Sequence, residues 1–194
     1  MEKLSNMEKL GSPAHDFNLL NTNPDFGGPA VSMSMMNDSP LFLVAFICNH
    51  CPYVIHIRDS FVNFVSDYQD KGLAVVAISS NDIQTHPADS PERMQEDSLN
   101  HQYSFPYLYD EKQSVAKAYR ASCTPDFFLY DVDRKLVYRG QYDSSRPGND
   151  EPITGNDLRS AVESLLRGEK ISGKQHPSVG CNIKWRIGEE PEYY

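Results

Sequence analysis

The feature that most constrains the fold is an apolar run that ends in a pair of cysteines. Leu41-Phe-Leu-Val-Ala-Phe-Ile47 is continuously apolar and of strand length, the pattern of a strand covered on both faces. Cys48-Asn-His-Cys51 follows at once. From Val54 the pattern changes: Val54, Ile57, Phe61, Val65 and Tyr68 recur every three or four residues, the stripe of an amphipathic helix. Pro52 suits only the first turn of that helix, where its missing N–H has no partner to lose. Gly72 supplies a left-handed cap at the other end, and Leu73-Ala-Val-Val-Ala-Ile78 reads as a second buried strand. Strand, cysteine pair, helix and strand make a βαβ unit with the cysteines at the helix N-terminus.

The rest of the chain is of the same α/β kind. Ser90-Pro91-Glu92 predicts a helix start, with a capping hydroxyl, a proline at the first position and an acid near the positive end of the dipole. That helix runs to about His101, and a shorter one covers Gln113–Tyr119. Phe127–Tyr130 and Leu136–Arg139, separated by Asp131–Lys135, predict a hairpin. Thr154-Gly-Asn-Asp157 resembles a capping box and opens a helix through Leu158, Ala161, Val162, Leu165 and Leu166, closed by Gly168. Residues 15–35 read as a leading hairpin. Residues 171–194 show no periodicity and read as an extension packed on the domain.

At 194 residues, a folded chain hides roughly 70% of its unfolded surface and needs no staples. No linker or repeat breaks residues 11–170, so one domain is expected there. Met1–Leu10 repeats Met-Glu-Lys-Leu around Ser5-Asn6. It lacks the apolar core of an export signal and reads as a mobile leader. Eighteen Lys and Arg against 27 Asp and Glu leave a net charge of −9, which offers no attraction to phosphate backbones or anionic membranes. The longest apolar run is too short to span a bilayer. A cytoplasmic protein that binds neither nucleic acid nor membrane, with no resident cofactor or metal, is expected.

Four cysteines in a chain of this size point to catalysis or metal binding before scaffolding. A thiol reacts as its thiolate. At a helix N-terminus, the unpaired N–H groups and macrodipole stabilise that anion at Cys48. His50, between the cysteines, adds positive charge or a hydrogen bond. Lowering the pKa from ~8.5 to ~7 takes only about 2 kcal/mol, within reach of the two effects together. The spacing brings Cys51 one turn along, within reach of Cys48. Cys48 is then the sulfur that attacks a disulfide, and Cys51 the one that resolves the mixed disulfide.

Phe46-Ile-Cys-Asn-His-Cys-Pro-Tyr-Val54 resembles a thioredoxin-fold active site. The chain as a whole is similar to the thioredoxin-like, peroxiredoxin-like proteins of the AhpC/TSA superfamily. The likeness runs through Ile78-Ser-Ser-Asn-Asp82, Asp89-Ser-Pro91, Cys123-Thr-Pro-Asp-Phe-Phe128 and Val179-Gly-Cys-Asn-Ile-Lys-Trp185, and covers residues 11–194. It implies a thioredoxin-like α/β fold, with a central mixed sheet flanked by helices and an N-terminal hairpin. It also implies that Thr124-Pro125 is a cis-proline loop facing the cysteines, offering backbone groups to an extended substrate strand. His50 stands where protein disulfide isomerase carries a histidine, which implies a reduction potential nearer ~−180 mV than thioredoxin's ~−270 mV. Asp82 occupies the place of a proton-accepting acid in related cytochrome-maturation proteins. A proton acceptor for Cys51 and a solvated loop acid are both open readings of it. The peroxiredoxin pattern is not met: its threonine, proline and arginine positions hold Ala45, Leu41 and Pro125.

Cys123 lies two residues before Pro125, and Cys181 lies in the tail. Either they form a second redox couple with each other, or they are separate packed thiols. The leading functional expectation is a thiol-disulfide oxidoreductase acting on a protein or small-molecule disulfide, with an unidentified thiol donor or acceptor. The alternatives are a copper chaperone using the two cysteines with His50 or His56, and a weak thiol peroxidase.

Overall fold

Four short strands precede the cysteine pair. The computed structural model describes residues 1–194 and forms β1 at Glu2–Leu4, β2 at Asn18–Asn21, β3 at Ala30–Ser32 and β4 at Leu41–Phe46. Helix α1 spans Pro52–Gln69, followed by β5 (Leu73–Ser79), α2 (Pro91–Asn100) and β6 (Tyr107–Tyr109). Helix α3 (Ser114–Tyr119), β7 (Cys123–Thr124), β8 (Asp126–Tyr130) and β9 (Leu136–Gly140) come next. Helix α4 (Asn156–Leu166) and β10 (Val179–Asn182) complete the chain. No helix is long and apolar enough to cross a membrane.

Seven strands form one mixed sheet in the order β3-β2-β6-β5-β4-β8-β9. Strands β4, β5 and β6 run parallel, while β8 lies antiparallel to β4. All six residues of β4 are buried, which accounts for its unbroken apolar sequence. Leu43, Ala45 and Ile47 point to one face, where Val54, Ile57 and Phe61 of α1 and Leu158, Ala161 and Val162 of α4 pack. Phe42, Val44 and Phe46 point to the other, against Tyr119 of α3 and Trp185 of the tail. Phe42 and Phe46 are wholly buried, and each contributes about 1.5–3 kcal/mol by leaving water. The predicted hairpins and helices are present, with ends shifted by up to three residues.

A second sheet is absent from the sequence reading. It joins the two ends of the chain: β1 pairs with β10, and β10 pairs with β7. The expected mobile leader is therefore a paired strand, tied further by the Ser5 N–H to the Ser178 carbonyl at 3.0 Å and by the Ser122 hydroxyl to the Leu4 carbonyl at 2.7 Å. Strands of two to four residues are too short to show a period. They form here because their partners lie far away in sequence.

Strand β10 can reach β7 only because residue 180 is glycine. A Cβ at Gly180 would stand 2.0 Å from the Thr124 carbonyl oxygen. Gly180→Ala is therefore expected to force β10 off β7 and to lower unfolding free energy by about 1–3 kcal/mol in a denaturant titration. An unchanged midpoint and slope would show that this contact is not tight in solution.

Candidate active site

Helix α1 starts at Pro52, with Cys51 as its N-cap in extended geometry (φ −69°, ψ 122°). The free N–H groups of the first turn thus gather at Cys51. Cys48 lies one turn before the helix, at the end of β4, where the Ile47 N–H still bonds to the Ile78 carbonyl at 3.0 Å. All four cysteines are unbridged. Cys48 is 1% exposed and Cys51 is fully buried.

Thr124 holds both sulfurs. Its hydroxyl lies 3.4 Å from Cys48 Sγ, and its carbonyl lies 3.1 Å from Cys51 Sγ. The Thr124–Pro125 peptide is cis, and the loop faces the cysteines. Its backbone is not open to another strand, however. Strand β10 already pairs with it, Cys181 opposite Thr124 and Asn182 opposite Cys123.

The sequence reading placed the stabilised anion on Cys48. The structure favours Cys51. A hydrogen bond from Cys48, opposed by burial, holds the Cys51 pKa down at about 5, with further help from Cys181 and the Val54 N–H. The sulfur makes no strict side-chain cap bond, so the dipole and this loose N–H contact act together. The Thr124 carbonyl works the other way, since a carbonyl oxygen at 3.1 Å favours a thiol. Cys48 is pushed up by its bond to Cys51, by burial and by the charge of Asp89. The two sulfurs therefore titrate as a pair, with Cys51 shifted down and Cys48 up.

Asp89 is the acid of the site. It is fully buried, and its carboxylate accepts from the Asn49 N–H at 2.9 Å and from Asn81 Nδ2 at 2.7 Å. Burial works to raise its pKa, but His50, Asn81 and the Asn49 N–H outweigh that and hold it low. His50 Nδ1 lies 2.7 Å from Asp89 Oδ2 without the alignment of a good hydrogen bond, and the two form an ion pair when the imidazole is protonated. Asp89 raises the His50 pKa against partial burial. His86 stacks on His50 with ring centroids 5.2 Å apart, and burial and the charge of His50 lower its pKa. Asn49 is fixed from the other side by the Tyr107 hydroxyl, which donates to its Oδ1 at 2.9 Å.

Other expected site residues are placed differently. Asp82 closes its own turn, its carboxylate accepting from the Gln84 N–H and the Thr85 hydroxyl. His56 is bonded to the Ser145 hydroxyl at 2.7 Å. Cys123 and Cys181 cannot form the couple considered from sequence. Cys181 faces Thr124 across the ladder and Cys123 faces Asn182, so the two side chains leave opposite sides of the sheet. Cys123 is fully buried, and that burial raises its pKa.

Three groups went unread in the sequence. Asp89 sat inside a recognised motif, but no spacing links it to Cys48. Thr124 drew notice only as the neighbour of a proline. Asp126 is fully buried on β8 opposite Phe46, facing away from α1. The nearby Ser122 and Phe127 N–H groups leave its oxygens without well-aligned partners, and burial pushes its pKa far up.

Two chemistries fit this arrangement. The adjacent sulfurs can form and break a disulfide. Cys48 Sγ, His50 Nδ1 and an Asp89 oxygen also lie within 4.8 Å of one another, a set of donors that could share a metal ion. A small cleft borders Pro125, lined by Tyr53, Tyr142, Asp143 and Arg146 among others.

This fold and this cysteine pair define a thioredoxin-like redox protein. The AhpC/TSA family model matches residues 10–139, and the chain belongs to that family. A hypothetical protein from Sinorhizobium meliloti 1021 is 51% identical, with 95% of this chain and 99% of that one covered and a TM-score of 0.91. An uncharacterized conserved protein from Geobacillus kaustophilus is 47% identical over 96% and 97% of the two chains, with a TM-score of 0.92. The thioredoxin domain of a thiol-disulfide oxidoreductase from Bacteroides vulgatus shares the fold at 17% identity and a TM-score of 0.60, over 82% of this chain and 99% of that one. Comparison with curated proteins gives no match.

The Asp89–His50 pair makes a signed prediction. The depressed Asp89 pKa gives stability above its unfolded value, ~3.9, that is lost as pH falls through the folded value. The raised His50 pKa gives stability below ~6.5 that is lost as pH rises through the folded value. The pair therefore contributes most between about pH 4 and 6.5. In Asp89→Asn, NMR titration is expected to show a lower His50 pKa, and an unmoved one would refute the pairing.

Proposed function

We propose that the protein is a thiol-disulfide oxidoreductase acting on disulfides of a protein or a small molecule. The observation that carries this reading is the placement of both buried sulfurs at the start of α1 on one residue, Thr124, whose hydroxyl lies 3.4 Å from Cys48 Sγ and whose carbonyl lies 3.1 Å from Cys51 Sγ. Cys51, bearing the charge, is the base for Cys48. As Cys48 attacks a substrate sulfur, its proton passes to Cys51, and the substrate's other sulfur departs as a thiolate. Cys51 then gives up that proton, most simply to the departed thiolate, and attacks Cys48. The Cys48–Cys51 bond forms, and the second substrate sulfur is released.

Peroxide reduction is not the reading favoured here. Ala45 and Leu41 are buried apolar residues of β4, and Pro125 has no guanidinium to offer. The charge of Asp89 raises the Cys48 pKa, which opposes a peroxide-activated thiolate. Metal delivery is also second to redox chemistry, because Asp89 is already satisfied by Asn49, Asn81 and His50.

Reduction of insulin disulfides by a dithiol donor is expected to fall by about two orders of magnitude or more in Cys48→Ser. Cys51→Ser is expected to accumulate a mixed disulfide at Cys48, identified by mass. Full turnover in Cys48→Ser would end this reading. A stabilised thiolate in the reduced pair also favours the reduced form. The measured potential is therefore expected nearer ~−180 mV than ~−270 mV, and a value below the latter would contradict the charge assignment.

A further inference from the structure

Strand β10 occupies the backbone edge expected to receive a substrate strand, and it brings a cysteine with it. Directly opposed residues of an antiparallel pair share a face. Cys181, opposite Thr124, therefore lies on the side where the Thr124 hydroxyl meets Cys48. Cys51 Sγ lies on the carbonyl of that same Thr124, and Cys181 packs against the buried cluster that holds Cys48 and Cys51. Cys51 and Cys181 thus meet at one residue, and the close seat of β10 on Thr124, permitted by Gly180, keeps them there.

We propose that Cys181 is a third redox-active cysteine, which exchanges with the Cys48–Cys51 disulfide at the Cys51 sulfur. The proposal rests on the oxidoreductase reading for its place in a cycle, but the bond it names does not depend on that reading. The Cys181 sulfur, as thiolate, attacks Cys51 Sγ. The Cys51–Cys181 bond forms and the Cys48–Cys51 bond breaks. Cys48 leaves with the electron pair and takes up the proton that Cys181 lost. Nothing is oxidised or reduced overall, so no further reactant is needed.

The electrostatics suit an exchange that waits for oxidation. In the reduced protein, burial first and then Cys51 push the Cys181 thiol up to about 11, while Lys184 and the N-terminal ammonium pull it down. Once Cys51 is in a disulfide, its charge is gone and the two cations remain. Exposure suits it too. Cys48 and Cys51 are buried, whereas Cys181 is half-buried. Exchange carries the disulfide from the closed pair toward the strand nearer the surface, where a thiol donor can meet it.

The test is oxidation of Cys48→Ser, in which three of the four cysteines remain. With diamide as oxidant, free thiols counted under denaturing conditions are expected to fall from three to one. Peptide mapping without reductant should then show Cys51 linked to Cys181 within a monomer. Cys48→Ala provides the same readout if serine unsettles the fold. In wild type poised across a glutathione series, the Cys51–Cys181 bond should appear beside Cys48–Cys51. If both variants keep three free thiols and wild type shows only Cys48–Cys51, the proposal fails. Insulin reduction by wild type separates the two claims. Turnover without any Cys51–Cys181 bond removes the exchange alone, whereas that bond without turnover removes the oxidoreductase reading and keeps the pairing.

Discussion

Thr124 is the residue on which the site depends. Its hydroxyl meets Cys48, its carbonyl meets Cys51, and its position in the ladder sets Cys181 opposite it. Two sheets share this point. β8 follows immediately in the large sheet, and β7 belongs to the small one. A short turn between them therefore transmits the packing of the whole core to three sulfurs. A fully buried dithiol leaves few other ways to orient its protons, because each thiol needs a polar partner in a place where water is scarce.

The Cys51 pKa is lowered first by its bond from Cys48, and the Val54 N–H in the first turn of α1 adds to that effect. The buried Asp89 on the other side makes Cys48 the worse seat for a negative charge. His50 does not neutralise Cys48 directly, because it is engaged with Asp89. The histidine between the cysteines therefore acts on the acid, and through the acid on the sulfur.

Much of the large sheet was legible because its strands and helices carry long-range burial in local patterns. The unbroken Leu41–Ile47 run, the stripe of α1 and the glycine after it each report a neighbour without naming it. The pair Cys48–Cys51 and the loop at Thr124-Pro125 were legible as motifs. Asp89 was not, since nothing in a chain with 27 acids marks the one that folds back under a histidine. Strands β1, β7 and β10 were invisible for a different reason. Their two to four residues owe their structure to main-chain pairing with distant segments, which leaves no periodicity to read. The two readings of Cys123 and Cys181 stayed open in the sequence for the same reason, because sidedness is set by register, and short strands do not reveal their register.

The joining of β1, β10 and β7 has a consequence for how the chain is made. Loop closure between such distant segments comes late, after the local βαβ unit can form. A ribosome delivers the Cys48–Cys51 motif long before residues 179–182 leave the exit tunnel. During that interval the dithiol lacks its cover, and Gly180 has not yet met Thr124. The newborn chain thus shows the surroundings a more open pair of sulfurs than the finished protein ever does, and arrival of the last strand closes that window.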